Sequence, residues 1–340
     1  MTYGEAIRDA VAQKMVTDDR VFVLGIGVTD PKGVFGSTTG LLEQFGADRI
    51  LETPASENAT VGICIGASLQ GMRPVMVSQR VDFTLLALDQ VINHAAKWKW
   101  MFGGAQRTPI VIRMIVGRGW GQGPQHSQSM HALFAHIPGL KVVAPASAYD
   151  AKGLLISSIE DDDPVIFIEH RRLYDIEGDV PDGLYRLPIG RAAVLQEGTD
   201  ITVVAVSQMV LEAQRAAAAM SRAGVSVEVI DLRSLRPLDS STVLDSIHKT
   251  GRLIVVEADW RSCSVASEIV ALAAENSLDR LKSPPVRLTW PDAPAPTSAS
   301  LEAAYYPTAR SICEVTFKML GRSLEALPVE AVLSDFFGPF

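Results

Sequence analysis

The stretch Glu52–Ser78, ETPASENATVGICIGASLQGMRPVMVS, decides the fold of this chain. Its middle reads as a helix of very small residues that opens at Ser56 and Glu57. Its end, RPVMVS, reads as a buried strand. A helix that runs straight into an apolar strand is the repeating unit of a parallel sheet with helices on both faces. The rhythm continues outward. VFVLGIGV reads as a strand before it. After it, TLLALDQVINHAAKWKWMFG reads as a long helix, TPIVIRMIV as a strand and MHALFAHIPG as a short helix. LKVVAP is a strand, SAYDAKGLLISSIED a helix capped by Ser147, and DPVIFIEH a strand.

The pattern lapses between Arg171 and Gly190, where Asp, Gly and Pro cluster as a linker. A smaller α/β unit comes next, with DITVVAVSQMV, VSVEVIDLRSLRPLD and RLIVVEADW as strand-bearing segments. LEAQRAAAAMSRAG, SSTVLDSIHKTG and a segment from Ser264 to Glu275 supply its helices. The expected fold class is α/β, with two three-layer α/β/α domains at 1–185 and 186–322. A tail over 323–340 ends in apolar residues, expected to dock on a partner or on the body.

With 340 residues, 47% of them hydrophobic, the chain can bury a large core. Net charge is −8 and no basic block occurs, which argues against nucleic acid. Cys64, Cys263 and Cys313 are far apart and form neither a disulfide framework nor a metal-type spacing. The longest apolar runs are strand-length, and helical periodicity starts at once with no charged-then-apolar leader before it. A soluble, cytoplasmic protein without membrane contact is expected.

Glycines inside a helix cost about 1 kcal/mol each relative to alanine. Ala59, Gly62, Gly66 and Ser68 therefore imply a close neighbour, either within the domain or across a crowded subunit interface. Glu57 also has two readings. It is a first-turn acid that complements the helix dipole, or it is an acid placed for chemistry. Composition alone does not choose.

The ordered set of motifs does choose. ETPASE, GMRPV, QRVDF, DQVINHAAK, PQHSQS, HIPGLKVVAP, EDDDPVIFIE and IDLRSLRPLD together resemble one family over roughly residues 2–320. It is the beta subunit of the thiamine-diphosphate-dependent decarboxylating component of 2-oxo acid dehydrogenases, within the wider transketolase-like group. The resemblance implies a pyrimidine-binding domain followed by a transketolase C-terminal domain. It assigns Glu57 to the acid that bonds a ring nitrogen of the cofactor and promotes its imino tautomer. Burial favours a neutral carboxyl, whereas a helix N-terminus favours an ionised one. Phe83 matches the aromatic residue that packs on the pyrimidine, and Gln79 and Asp82 complete the spacing. His126 matches the active-site histidine, while His94, His131, His136, His170 and His248 are expected to be structural. In some relatives the segment matching SIEDDDP holds potassium, which makes Ser158, Asp161 and Asp163 the candidate ligands.

No GDG motif, the family's magnesium and diphosphate signature, is present in this sequence. The resemblance then implies an alpha subunit that carries that motif with Mg2+, in a heterotetramer of two alpha and two beta chains. The implied activity is decarboxylation of a 2-oxo acid with acyl transfer to the lipoyl group of an acyltransferase. Some positions depart from the pattern. Ile26 and Val77 stand where acids are common, Arg80 where an apolar or small residue is usual, and Glu257–Trp260 replaces a glycine-rich form. These departures keep two alternatives open, a carbon–carbon ligase that uses the same cofactor and a non-catalytic structural subunit.

Overall fold

The computed structural model describes residues 1–117 and 121–324, so the tail expected to dock lies, from residue 325 on, outside the described residues. The strands, in chain order, are β1 (Val21–Gly25), β2 (Ile50–Glu52), β3 (Arg73–Ser78), β4 (Val111–Val116), β5 (Lys141–Val143) and β6 (Val165–His170). They continue with β7 (Ala193–Gln196), β8 (Ile201–Ala205), β9 (Val227–Asp231), β10 (Ser234–Arg236), β11 (Leu253–Trp260) and β12 (Val286–Trp290). They form a seven-stranded sheet, β10-β5-β6-β4-β3-β1-β2, and a five-stranded sheet, β12-β11-β8-β9-β7. Pairings among β1 to β6 are parallel, and β7 is an antiparallel edge on β9.

Every residue of β1, β4, β6, β8 and β9 is buried. A strand buried at both odd and even positions has both faces covered, which is why these segments are mostly apolar and do not alternate. The chain falls into two units. Residues up to 189 belong mostly to the first and those from 190 mostly to the second, while 121–127 group with the second and 235–237 with the first.

Local chemistry explains where helices begin. Ser147 caps Ala148–Glu160 as expected, its hydroxyl accepting from the Asp150 N–H at 3.0 Å. Ser56 occupies the N-cap of Glu57–Leu69 but makes no side-chain cap bond. The long helix expected from Thr84 to Gly103 is instead broken into Val81–Thr84, a 3₁₀ turn Leu85–Ala87, a π-helical Asp89–Ala95 and Ala96–Met101. A π segment adds a residue to the turn and shifts the phase of the turns after it, which an apolar period cannot reveal.

One ion pair is wholly inside the first unit. Arg113 on β4 forks onto Glu169 on β6, with Nε–Oε1 at 2.5 Å and Nη2–Oε2 at 2.9 Å, and neither side chain has any exposure. Ser37 and Tyr174 complete it, Ser37 accepting from Arg113 at 2.7 Å and Tyr174 donating to Glu169. Removing one member of such a pair strands the other charge. Arg113→Met is therefore expected to destabilise the first unit by about 3–5 kcal/mol, and Arg113→Met with Glu169→Leu by clearly less. Urea unfolding of both variants checks this, and a milder single than double substitution would contradict it.

Candidate active site

The carboxyl ends of β1, β2 and β3 meet where the chain reverses across the sheet. From β1 the chain passes to β2 on one side, and the helix Glu57–Leu69 then carries it to β3 on the other. Such a reversal opens a crevice outside the strand ends, the common ligand position in open α/β sheets. Ile26, Thr53, Glu57, Val77, Gln79 and Phe83 all line it.

Glycine makes this edge possible. A Cβ on Gly25 would stand 2.3 Å from the Val77 carbonyl, and one on Gly27, where φ is +74°, 2.5 Å from Gln79 Nε2. With those atoms absent, the Gln79 amide donates to the Ile26 carbonyl at 2.9 Å. Glu52 braces the same turn, accepting from the Gly27 N–H at 2.7 Å and the Thr29 hydroxyl at 2.8 Å.

Glu57 is 7% exposed, yet among the described residues its carboxyl makes no hydrogen bond or ion pair. It is the one acid among the described residues that line the crevice. The crevice has only about 20 Å³ of free space, so a planar ligand would meet the acid at its mouth rather than sink into it. Phe83 stands at that mouth, 36% exposed. Roomier grooves of about 610 and 920 Å³ lie near Arg8 and near Trp100, but neither is lined by Glu57, Gln79 or Phe83. Cys64, on the buried side of the same helix, is pushed up to about 12 by burial, and so remains a neutral, unreactive thiol.

The structure thus brings Glu57, Gln79 and Phe83 to one crevice. His126 ends the short helix Gly123–His126 and is half-buried in a segment grouped with the second unit. Gly123 lies against Thr297, whose Oγ1 would be 3.0 Å from an added Cβ. Three of the other histidines have local duties. His131 bonds the Ser129 hydroxyl at 2.9 Å, His248 bonds Ser277 at 2.9 Å, and His170 accepts from the Arg172 N–H at 3.3 Å.

The acids after Ala148–Glu160 already face protein cations. Asp161 pairs with Lys141 at 2.5 Å, Asp162 with Arg73 at 2.5 Å, and Asp163 with Lys99 at 2.9 Å. Arg73 also donates to the Ile159 and Asp161 carbonyls at 3.0 and 2.9 Å, and Ser158 donates to Leu154 at 2.7 Å. Among the described residues no group of three or more His, Cys, Asp or Glu is arranged to hold a metal. Sequence reasoning gives no role to Thr53, although it lies inside the opening stretch. Only the pairing of β2 with β1 brings it to the crevice.

Comparison with known proteins agrees with this architecture. Residues 1–177 match the family "Transketolase, pyrimidine binding domain", and residues 190–312 match "Transketolase, C-terminal domain". The beta subunit of acetoin:2,6-dichlorophenolindophenol oxidoreductase from Cupriavidus necator is 44% identical over 93% of this chain and 96% of its own. The pyruvate dehydrogenase E1 component subunit beta of Rickettsia felis is 39% identical over 94% of this chain and 98% of its own. A solved structure described as "Split gene transketolase, inactive beta4 tetramer" has a TM-score of 0.78 over 94% of this chain and 98% of its own. At 21% identity that is a likeness of fold alone. The chain therefore belongs to the transketolase-like family of beta subunits of thiamine-diphosphate-dependent 2-oxo acid dehydrogenases.

Proposed function

We propose that this chain is the catalytic beta subunit of a thiamine-diphosphate-dependent 2-oxo acid dehydrogenase, sharing its active site with a separate alpha chain. The observation that carries this reading is Glu57, a largely buried residue at the switch-point crevice whose carboxyl makes no hydrogen bond among the described residues. An acid so placed faces the crevice and is free to meet a ligand's ring nitrogen.

The residues present fit an aminopyrimidine. Glu57 offers an acid to a ring nitrogen, Phe83 a partly exposed aromatic ring at the mouth, and Ile26 and Val77 apolar walls. Thiamine diphosphate, when bound, would supply the nucleophilic carbon and the electron sink for cleaving the bond beside a carbonyl. Glu57 would hold and return a proton at the ring nitrogen. The Gln79 amide, through the Ile26 carbonyl, would fix the turn against which the ring lies. His126 enters on the resemblance alone, as a group that handles charge or a proton on the substrate. Magnesium and the diphosphate fall to the alpha chain, because this sequence lacks the GDG motif. A potassium ion near Ser158, Asp161 and Asp163 would have to share carbonyls with Arg73 and carboxylates with Lys99 and Lys141.

The small-residue helix supports the shared site. Among the described residues nothing lies within 4 Å of a Cβ built on Gly66, and one on Gly62 meets only the Gln90 side chain at 3.7 Å. Ala59, Ile63 and Gly66 are exposed. Packing inside the domain does not require those glycines, so we assign this face to a neighbouring chain of an alpha2 beta2 assembly. The acyl acceptor would be a lipoyl group on an acyltransferase. Three free cysteines, and no described helix long and apolar enough to cross a membrane, are consistent with a cytoplasmic home. A second reading keeps the cofactor and transfers the acyl unit to an aldehyde or ketone. The apolar Ile26 and Val77 in the crevice wall, where acids are usual, favour it. Product analysis with and without a lipoyl acceptor separates the two, and strict lipoyl dependence excludes the ligase.

With alpha chain, magnesium and cofactor supplied, Glu57→Gln is expected to lower kcat by about 10²–10⁴-fold. Near-normal turnover would remove the basis of the assignment. His126→Ala is expected to lose about 10²-fold or more, and unchanged turnover would point to a non-catalytic subunit. Gly66→Leu is expected to leave the melting temperature of the isolated chain unreduced while weakening its association with the alpha chain at least about tenfold. Unaltered assembly, measured by analytical ultracentrifugation, would put the interface elsewhere.

A further inference from the structure

Three consecutive acids, Asp161, Asp162 and Asp163, follow the helix Ala148–Glu160, whose last turn carries no basic residue. A helix C-terminus is itself a negative pole, so this place calls for positive charge. The chain supplies it from three other elements. Lys141 opens β5, Arg73 opens β3, and Lys99 lies on the helix Ala96–Met101. The Lys141 ammonium donates to both carboxylate oxygens of Asp161, at 2.7 and 2.5 Å, and lies 3.6 Å from Asp163. The Lys99 ammonium donates to Asp163 at 2.9 Å. Arg73 pairs with Asp162 at 2.5 Å and donates to the Ile159 and Asp161 carbonyls at 3.0 and 2.9 Å. Lys141, Arg73 and the acids thus meet at the amino ends of β5, β3 and β6, the sheet edge opposite the Glu57 crevice.

These oxygens do not fit the potassium ion that the family resemblance implies at Ser158, Asp161 and Asp163. Potassium is held where carbonyl and carboxylate oxygens turn towards it and replace its water shell. Here those oxygens already accept from nitrogen. The Ser158 carbonyl accepts from the Asp161 N–H at 3.3 Å, and the Ser158 hydroxyl donates to the Leu154 carbonyl at 2.7 Å. Asp161 Oδ1 also accepts from the Asp163 N–H at 2.9 Å. Asp163 Oδ1 has no hydrogen bond among the described residues, and it faces Arg107 Nη1 at 3.9 Å. Charge is answered as well. Arg73, Lys99, Arg107 and Lys141 stand against the three carboxylates, and neighbouring Glu160 has its own partners in Lys14 and Arg186. A further cation placed among them would meet like charge at close range.

We propose that Lys99, Lys141 and Arg73 are a built-in cation set that takes the place of potassium, so that the fold of the first unit is independent of monovalent metal ions. A tethered ammonium is held beside its carboxylate by the chain, whereas a free ion is lost when its concentration falls. The Asp161 and Asp163 side chains are 18% and 17% exposed, so their bonds to the lysines are screened less than pairs on the open surface. No part of this involves the substrate or the thiamine cofactor, so the cation set stands apart from the dehydrogenase reading.

The test is thermal unfolding of the full chain in potassium chloride and in choline chloride at equal ionic strength. The midpoints are expected to agree within about 1 °C, whereas a potassium site filled at about ten times its dissociation constant would raise the midpoint by about 2–5 °C. A rise of that size in potassium but not in choline overturns the proposal. So does an anomalous rubidium peak at Asp161 and Asp163 in rubidium-soaked crystals of the assembled complex. Lys141→Met strands the Asp161 carboxylate and is expected to lower the midpoint by about 2 °C or more, with Lys141→Arg recovering most of the loss. A midpoint unchanged in both Lys141→Met and Lys99→Met also overturns the proposal. Should the methionine variants fail to fold, the comparison of salts on the unaltered chain still decides it.

Discussion

An acid at a crevice, left without a hydrogen-bond partner among the described residues, is the constraint around which the first unit is organised. The reversal of strand order at β1 opens the crevice, and Gly25 and Gly27 let β3 and the Gln79 amide come close enough to shape it. The helix that begins at Glu57 then fixes the acid at its first turn. None of these features serves packing alone. Two glycines with left-handed or crowded backbones are unfavourable for a freestanding domain, and with an acid at the crevice they make sense as one face of a ligand site.

Charge is distributed accordingly. Within the crevice Ile26, Met76 and Val77 put apolar wall beside Glu57. Along the same sheet edge the guanidinium groups of Arg80 and Arg171 share the ring of Phe35, each Cζ 5.0 Å from its centroid. Far from both, the acids at the end of Ala148–Glu160 are absorbed by Lys99, Lys141 and Arg73, which settles an otherwise unfavourable cluster of negative charge at a helix C-terminus. The buried Arg113–Glu169 fork ties β4 to β6 beneath the edge from which Arg171 departs.

Much of this is legible in the sequence, for physical reasons. Strands covered on both faces are mostly apolar and do not alternate, and β1, β3, β4, β6, β8 and β11 stand out as such. Glu57 is visible as a first-turn acid, and motif order rather than composition marks it out. The less legible elements depend on tertiary pairing. β2 and β10 are three residues long, and β12 is only partly buried, so none shows a period of its own. The π-helical Asp89–Ala95 keeps the apolar average of a regular helix and hides the break. The shared ring of Arg80 and Arg171 is invisible there because Phe35, Arg80 and Arg171 are distant in sequence and meet only when β1, β3 and β6 align. The small residues of Glu57–Leu69 imply a close neighbour, yet the described residues of this chain do not supply one.

The most direct test of the central claim is a structure of the assembled complex with thiamine diphosphate bound. The account predicts a Glu57 carboxyl oxygen within about 2.6–3.2 Å of a pyrimidine ring nitrogen, with the diphosphate and its metal held by the alpha chain. A pyrimidine bound away from Glu57, or a Glu57 carboxyl satisfied instead by a residue of the neighbouring chain, would contradict it.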